Sequence, residues 1–219
     1  KTFAYIFQKL THNHIYNVYH QILNANDYNV AQNRERVFIV GTLNISPSII
    51  KYQFPVPETY KPCLKDVLVN VPQSEGMTYP EYKRQLFTYI PQGGCWIDLP
   101  IDLQHQYLGQ SYFSGGGKRG ILHRLSMNKP SLTLLCSPAQ KQTDRCHPLE
   151  NRPLSIREYT RIQSFDDTYK FMGTLQQQYK QIGNAVPVNL AYKIGQSLIM
   201  YLSQIKPPVI LKINLKDKY

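Results

Sequence analysis

The most constraining feature of this sequence is a short boundary block in front of an amphipathic segment near its C-terminus. Gly183-Asn184-Ala185-Val186-Pro187 combines a residue that permits close backbone approach, one that can cap a helix and one that fixes the first helical turn. Apolar residues follow at helical spacing, at positions 188, 190, 191, 194, 198 and 199. The pattern predicts a buried closing helix over 185–202. Taken alone, the boundary is equally an ordinary helix N-terminus.

A second block, Gln32-Asn-Arg-Glu-Arg-Val-Phe-Ile-Val-Gly41, leads from a polar segment into a short apolar strand predicted over 36–42. Arg34 and Arg36 alternate along this block and should point to the same side, with Glu35 pointing away. Two guanidinium groups on one face can hold a phosphate or a carbonyl oxygen through forked hydrogen bonds. Out of context, the same residues are an ion-pair cluster at a strand end.

The N-terminal segment has the pattern of the end of an α/β sheet domain. Apolar residues at 3, 6, 7 and 10 predict a helix over 2–10, and the alternation over 15–23 predicts a strand. With the polar loop at 24–33 and the strand after it, the order is helix, strand, loop and strand. We expect this domain to occupy residues 1–45.

Proline-rich sequence then breaks the regularity, and we interpret residues 46–146 as a separate, loop-rich small domain. Short helices are predicted over 61–69 and 79–89, and a brief strand over 132–136. Ser114-Gly-Gly-Gly-Lys-Arg-Gly120 is a glycine-rich basic loop, or simply a flexible surface turn.

Helical signals return in a third block, Arg152 to Phe165. Ser155 is a predicted N-cap, and Glu158 completes a capping box for a helix over 156–164. Arg157, Glu158 and Arg161 are spaced to pair along that helix, so a structural role is favoured. We expect residues 147–205 to return to the α/β domain and 206–219 to form a basic tail.

Composition narrows the class of protein. Lys and Arg number 25 against 14 Asp and Glu, giving a formal charge of +11, which suits a polyanionic partner, nucleic acid being the commonest. Four cysteines without CxxC spacing do not predict a zinc site, and no metal is expected. Without a signal peptide or membrane-length apolar run, a reduced cytoplasmic setting fits best.

In this order, the three blocks resemble the eighth, ninth and tenth motifs of the cytosine-C5 DNA methyltransferase family. The resemblance implies an α/β fold: the C-terminal part of a Rossmann-like S-adenosylmethionine-dependent methyltransferase sheet domain, plus a small loop-rich target-recognition domain. It implies that Arg36 contacts the flipped cytosine ring, with Arg34 and Gln32 supporting the site and the neighbouring DNA backbone. By the same resemblance, Asn184, Ala185 and Val186 line part of the S-adenosylmethionine pocket.

The segment between the eighth and ninth motifs corresponds to the family's target-recognition region, so it should face double-stranded DNA. The basic glycine loop and the segment after it supply side chains able to contact phosphates or bases. The predicted DNA-binding residues are Lys118, Arg119, Arg124, Thr133, Gln140 and Lys141.

Two hallmarks of the family are not found in this sequence: the glycine-rich cofactor loop and the nucleophilic cysteine in a Pro-Cys-Gln context. Pro62-Cys63 is followed by leucine in the recognition region, so Cys63 is rejected as the nucleophile. The expected partner is an N-terminal half that carries motifs I to VI, either as a separate subunit of a split enzyme or as part of one polypeptide. Alone, the chain should not methylate DNA. The alternatives are a non-catalytic DNA-binding module and, less favoured, an RNA methyltransferase.

Overall fold

A computed structural model describes residues 2–12, 14–44, 50–114, 120–142 and 144–204. The chain divides into two compact units. The first unit comprises Lys1–Ile22, Val37–Val56 and Tyr192–Tyr219, and the second comprises Leu23–Arg36 and Pro57–Ala191. Within the described ranges, no helix combines the length and the apolarity that crossing a membrane requires.

The N-terminal elements match the predicted order. Helix α1 (Thr2–Thr11) precedes strands β1 (Tyr16–Asn24) and β2 (Glu35–Leu43), which form a two-stranded sheet. The strands are antiparallel, because Asn44 N donates to Ile15 O and Ala25 N donates to Arg34 O. The predicted helix and both predicted strands are therefore confirmed to within one residue at each end.

Asn24 organises the connection between the two strands. Its Oδ1 accepts hydrogen bonds from Asn26 N at 3.2 Å and Arg34 N at 3.0 Å, which caps a short 3-10 helix, Ala25–Tyr28. Asn29 ends that helix in the left-handed conformation, with φ 59°. The connection therefore has a defined conformation that leads into the segment carrying Gln32, Arg34 and Arg36.

The second unit carries the remaining short helices and the start of the last helix. They are α2 (Leu64–Val67), α3 (Glu81–Leu86), α4 (Ile101–Leu108), α5 (Ile156–Ile162), α6 (Leu175–Asn184) and α7 (Val188–Gln204), with 3-10 turns at Phe87–Tyr89, Trp96–Asp98 and Gly109–Tyr112. Ser155 caps α5, and the predicted capping box with Glu158 is present. The predicted helices at 61–69 and 79–89 exist in shortened form. The brief strand predicted over 132–136 is wrong, since these residues form no strand and the nearest pairing is an isolated parallel bridge between Gln32 and Ser131.

Two apolar clusters hold the second unit together. The first packs α5 and α6 around Tyr159 and Tyr179, whose rings meet edge-on at 5.0 Å; Tyr179 also donates its hydroxyl to Leu154 O at 2.6 Å. The second surrounds Phe87, which stacks on Tyr79 at 5.0 Å and contacts residues of the 90–122 region. Each cluster thus contains a packed pair of aromatic rings, and the helices around it are short.

The first unit buries little apolar surface of its own. Among its described residues, the buried hydrophobic side chains are Tyr52 and Tyr201, at 4 % and 7 % exposed. Helix α7 was expected to be buried, yet several of its apolar side chains are exposed, namely Val188, Tyr192, Ile199, Met200 and Leu202. The expectation of a fully covered closing helix is therefore wrong for this chain by itself. Its N-terminal turn lies in the second unit, where Leu190 is buried.

Candidate functional site

Gln32 is a buried connector. Its Nε2 donates to Gln163 Oε1 at 2.9 Å, and its Oε1 accepts from Leu134 N at 3.0 Å. Gln163 in turn donates its Nε2 to Ile182 O at 2.7 Å. The hydrogen-bonded side chains of Gln32 and Gln163 therefore join the first sequence block to the second, and the second block to the third.

Arg34 is also internal. Its Nη1 donates to Leu134 O at 3.2 Å and its Nη2 to Gly183 O at 3.1 Å. Burial lowers the pKa of Arg34, and the positive charge of Arg36 adds to that effect. Since the last carbonyls of a helix lack intrahelical partners, a guanidinium at Gly183 O completes the C-terminus of α6.

Position 183 requires glycine because another backbone segment lies very close to it. A Cβ at this position would lie 2.3 Å from Leu135 O and 2.5 Å from Leu135 C, well inside van der Waals contact. The 134–136 backbone therefore lies directly against the end of α6. This observation explains the glycine of the boundary block, which sequence reasoning had attributed to close approach without naming its partner.

The residues after Gly183 are accessible to a ligand. Asn184 is exposed and Ala185 is partly exposed, with extended backbone angles of φ −65° and ψ 150°. Val186 is 50 % exposed. Cys136 donates its thiol to Asn184 Oδ1 at 3.4 Å, so the asparagine side chain has a fixed neighbour. The segment runs from the last residue of α6 into the short open connection that precedes α7.

Arg36 differs from Arg34 in its exposure. It is the second residue of β2 and is exposed, and its Nη1 donates to Glu35 O at 2.6 Å. The sequence predicted two guanidinium groups available on one face. Because Arg34 is committed to two backbone carbonyls, Arg36 is the one of this pair that is presented to solvent.

The segment around Thr133 runs beside residues 31–33. Ser131 N donates to Ala31 O and Asn33 N donates to Ser131 O, both at 2.8 Å. Thr133 donates its hydroxyl to Asn33 O at 2.8 Å, and its carbonyl accepts Nε and Nη2 of Arg145. The Thr-Leu dipeptide is thus attached to the block that carries the arginines. Gln163, which joins the first block to the second, was not predicted as a site residue.

The predicted DNA-binding residues fall into four groups, the first being Thr133, which is partly buried and donates its hydroxyl to Asn33 O. Lys118 and Arg119 lie outside the described residues. Gln140 and Lys141 are exposed. Arg124 is buried, and its five N–H groups have internal acceptors: the carbonyls of Ile90, His147, Glu150 and Phe87, and Asn151 Oδ1. The structure therefore gives Arg124 an architectural role that leaves no donor for the predicted DNA contact.

Two of the cysteines lie in surroundings that disfavour the thiolate. Burial, with the hydrogen bond from its Sγ to Asp66 Oδ2, raises the pKa of Cys63. Burial also raises the pKa of Cys146, to about 12. Neither is an activated nucleophile. Among the described residues, no three His, Cys, Asp or Glu side chains gather so as to hold a metal ion.

Comparison with known proteins decides the family. Residues 1–200 match the C-5 cytosine-specific DNA methylase family. The chain belongs to this family. Members with similar sequences include the type II methyltransferase M.Sau96I of Staphylococcus aureus, 53 % identical over 194 residues, covering 86 % of this chain and 44 % of the relative. M.Eco47II of Escherichia coli is 47 % identical over 192 residues, covering 84 % and 46 %. The chain thus spans less than half the length of these two methyltransferases.

Solved structures share the fold. A prophage-encoded protein assigned as a DNA modification methyltransferase (E. coli) aligns with a TM-score of 0.62 at 21 % identity, covering 93 % of this chain and 66 % of that one. The Entamoeba histolytica methyltransferase EhMeth aligns with a TM-score of 0.53 at 16 % identity, covering 94 % and 59 %. These similarities support the mixed α/β methyltransferase class predicted from the sequence.

Proposed function

We propose that this chain is the DNA-recognition and C-terminal part of a sequence-specific DNA cytosine-5 methyltransferase of a restriction–modification system. The observation that carries the proposal is the junction of the three sequence blocks. Gln32 and Arg34 of the first block contact Gln163 of the second and Gly183 of the third. This junction brings Arg36 and the Asn184–Val186 connection into one compact region of the second unit.

Arg36 is the proposed contact to the target cytosine. A base inside a duplex must be extruded before an enzyme can act on its ring. As the ring is attacked, electron density moves toward its carbonyl oxygen, and an exposed guanidinium can stabilise that charge electrostatically. Gln32 and Arg34 are the positioning residues in this scheme, because their side chains fix the backbone from which β2 begins.

The connection Asn184–Val186 is the proposed contact to S-adenosylmethionine. That cofactor supplies the methyl group when it is bound. The residues present fit such a ligand: the exposed Asn184 amide can donate and accept hydrogen bonds, the small Ala185 side chain permits close approach, and Val186 offers an apolar contact. Gln163 and Arg34 hold the carbonyls just before this segment and keep it in place.

Duplex DNA is the proposed macromolecular substrate. The net charge of +11 favours phosphate contacts, whose strength falls steeply with salt concentration. We assign those contacts to Lys118, Arg119 and Lys141, and we propose that Thr133 and Gln140 also contact the DNA. Arg124 is omitted, because its five donors are used inside the protein.

The nucleophilic cysteine is expected on a complementary N-terminal half. None of the four cysteines in this sequence stands in a Pro-Cys-Gln context, and burial raises the pKa of Cys63 and Cys146, which supports that assignment. So does the first unit, whose described part buries two hydrophobic side chains and exposes a series of others on α1, both strands and α7. Exposed apolar surface of this extent favours association with another protein segment. We propose that the complementary half covers it.

Reconstitution tests this proposal. The chain is mixed with a fragment of M.Sau96I that comprises the part of that protein outside the aligned region. Transfer of labelled methyl groups from S-adenosylmethionine to DNA is then measured. Transfer is expected from the mixture and not from either component. A variant of the chain with Ile199→Glu and Met200→Glu should reduce transfer, because it places negative charge on the exposed face of α7 that the complementary half is proposed to cover. Complex formation and DNA binding without any transfer would instead favour a non-catalytic DNA-binding module.

A further inference from the structure

A large cavity lies in the second unit, apart from the residues assigned above to cytosine and cofactor. Its volume is about 720 Å³, within the range of small-ligand sites, and it lies between α3, α4 and the segment at 139–141. Four tyrosines line it: Tyr79, Tyr82, Tyr89 and Tyr107. None of the described residues that line it is acidic.

The tyrosines offer aromatic surface to a ligand. Tyr82 is 61 % exposed and Tyr89 is 52 % exposed, so both rings stand at an accessible edge. Exposed aromatic side chains gathered around one concavity are typical of binding sites rather than of ordinary surface. Planar ligands, including nucleobases, stack on such rings without strict dependence on sequence.

Polar groups accompany these rings. Tyr79 is 5 % exposed, with its ring stacked on Phe87 and its hydroxyl beside the carboxylate of Asp144, so it forms the wall of the cavity. Burial, helped by the negative charge of Asp144, raises the pKa of Tyr79, so this phenol stays protonated. The amide side chains of Gln85 and Gln106 also line the cavity. A ligand with hydrogen-bonding edges can satisfy these groups.

The two lysines that line the cavity differ in whether their charge is neutralised by a neighbouring carboxylate. Lys83 is neutralised by Asp144, with Nζ 2.6 Å from Oδ1, and both side chains are buried. Lys141 is exposed, with Nζ 5.1 Å from the centre of the Tyr107 ring and 3.5 Å from Tyr107 O. Of these two lysines, Lys141 is therefore the one available for an external anion such as a phosphate.

We infer that this cavity receives one unstacked nucleobase of the DNA, with Lys141 at the neighbouring phosphate. The inference rests on the proposed function, because it needs DNA as the substrate. The combination of aromatic planes, amide groups and an exposed lysine, without a carboxylate among the described lining residues, matches a nucleotide better than a cationic or purely apolar ligand. This base pocket is built from different residues than the cytosine contact at Arg36.

Base-dependent binding tests the pocket. Fluorescence anisotropy compares two single-stranded oligonucleotides of equal length, one carrying thymine and one with abasic sugars. The wild-type chain should prefer the base-bearing strand, and Tyr82→Ala or Tyr89→Ala should weaken binding to it by roughly 5- to 150-fold while leaving abasic binding unchanged. Tyr169→Ala is the matched control, because Tyr169 has the same exposed fraction as Tyr89 and lies outside the cavity.

Equal affinity of the wild type for the two strands would overturn the base pocket, as would a base preference that survives both substitutions. If duplex DNA still bound in that case, the proposed function would stand. No binding to any DNA, duplex included, would count against both.

Photocrosslinking locates the base without any substitution. An oligonucleotide carrying 5-iodouracil is irradiated with the wild-type chain, and the crosslinked peptide is identified by mass spectrometry. Attachment to Tyr82, Tyr89 or Tyr107 is expected. Attachment only to tyrosines outside the cavity would contradict the inference.

Discussion

Gln32 and Gln163 lie 131 residues apart in the sequence and join directly through their side-chain amides, with Nε2 of Gln32 donating to Oε1 of Gln163 at 2.9 Å. Both side chains are buried, and each makes a second hydrogen bond to backbone, Gln32 to Leu134 N and Gln163 to Ile182 O. A single pair of amides therefore aligns the start of β2 with the end of α6.

Removing either amide should destabilise the chain. Gln32→Leu or Gln163→Leu leaves buried polar groups without partners, so the free energy of unfolding should fall by about 1–3 kcal/mol in each variant. The double variant should lose less than the sum of the two, because the pair is already broken. Urea denaturation measures all three against Gln176→Leu, an exposed position on α6. Strictly additive losses would show that the two amides do not act together.

A methyl group at Gly183 should have a larger effect than one at Gly195. Gly183→Ala places Cβ against the backbone of Leu135, and we expect a loss of about 1–3 kcal/mol in unfolding free energy. Gly195→Ala meets no atom within 4 Å and lies inside α7, so it should be neutral or stabilise by up to about 1 kcal/mol. Thermal unfolding of the two variants gives the comparison. Equal Tm values would refute the close approach.

Arg124 should behave as a structural residue. Arg124→Lys replaces a five-donor fork with an ammonium that cannot reach the same set of acceptors, so unfolding free energy should fall by about 2–4 kcal/mol. Chemical denaturation measures this loss, and DNA titration of the fraction that remains folded should show an unchanged salt dependence. A stable variant with weakened DNA binding would restore the DNA contact predicted from the sequence.

His123 should make stability depend on pH. Burial, helped by the positive charges of Arg145 and Lys129, lowers the pKa of His123 to about 4 from its ordinary 6.5. The unfolded chain therefore takes up a proton before the folded chain does, and stability is lost as the pH falls from 6.5 toward 4. His147, whose pKa is lowered mainly by burial, acts in the same direction.

The substitution His123→Gln removes one of these two groups. Urea unfolding at about pH 7.5 and about pH 5 should show a pH-dependent loss that is smaller by roughly 1 kcal/mol than in the wild type. An identical pH dependence in both proteins would mean that His123 is protonated as easily in the folded chain as in the unfolded one.

Local patterns in the sequence were enough to predict the helix at the N-terminus, both strands and the capping box at Ser155, because each depends on residues close together in the chain. The glycine in front of Asn184 was also assigned to close backbone approach. These features follow from periodicity, capping and backbone freedom, all of which can be read over a few residues.

Long-range partners were not predictable in the same way. Nothing local distinguishes Gln163 or Arg145 from a surface residue. Arg124 is a basic residue in the recognition region, as a DNA contact would be. Their roles come from partners that are distant in the sequence, such as the carbonyls of Ile90 and Phe87 for Arg124. The exposure of α7 was missed because its apolar spacing predicts a buried face without indicating which protein segment covers it.

Turnover of an Arg36 variant tests the central claim most directly. Arg36→Ala is introduced into the chain, the complementary half is added, and methyl transfer and DNA binding are measured in parallel with the wild type. We expect turnover to fall by about 100-fold or more, because one electrostatic contact to the developing charge is lost, while DNA affinity is largely kept. Turnover equal to that of the wild type would contradict the assignment of this site.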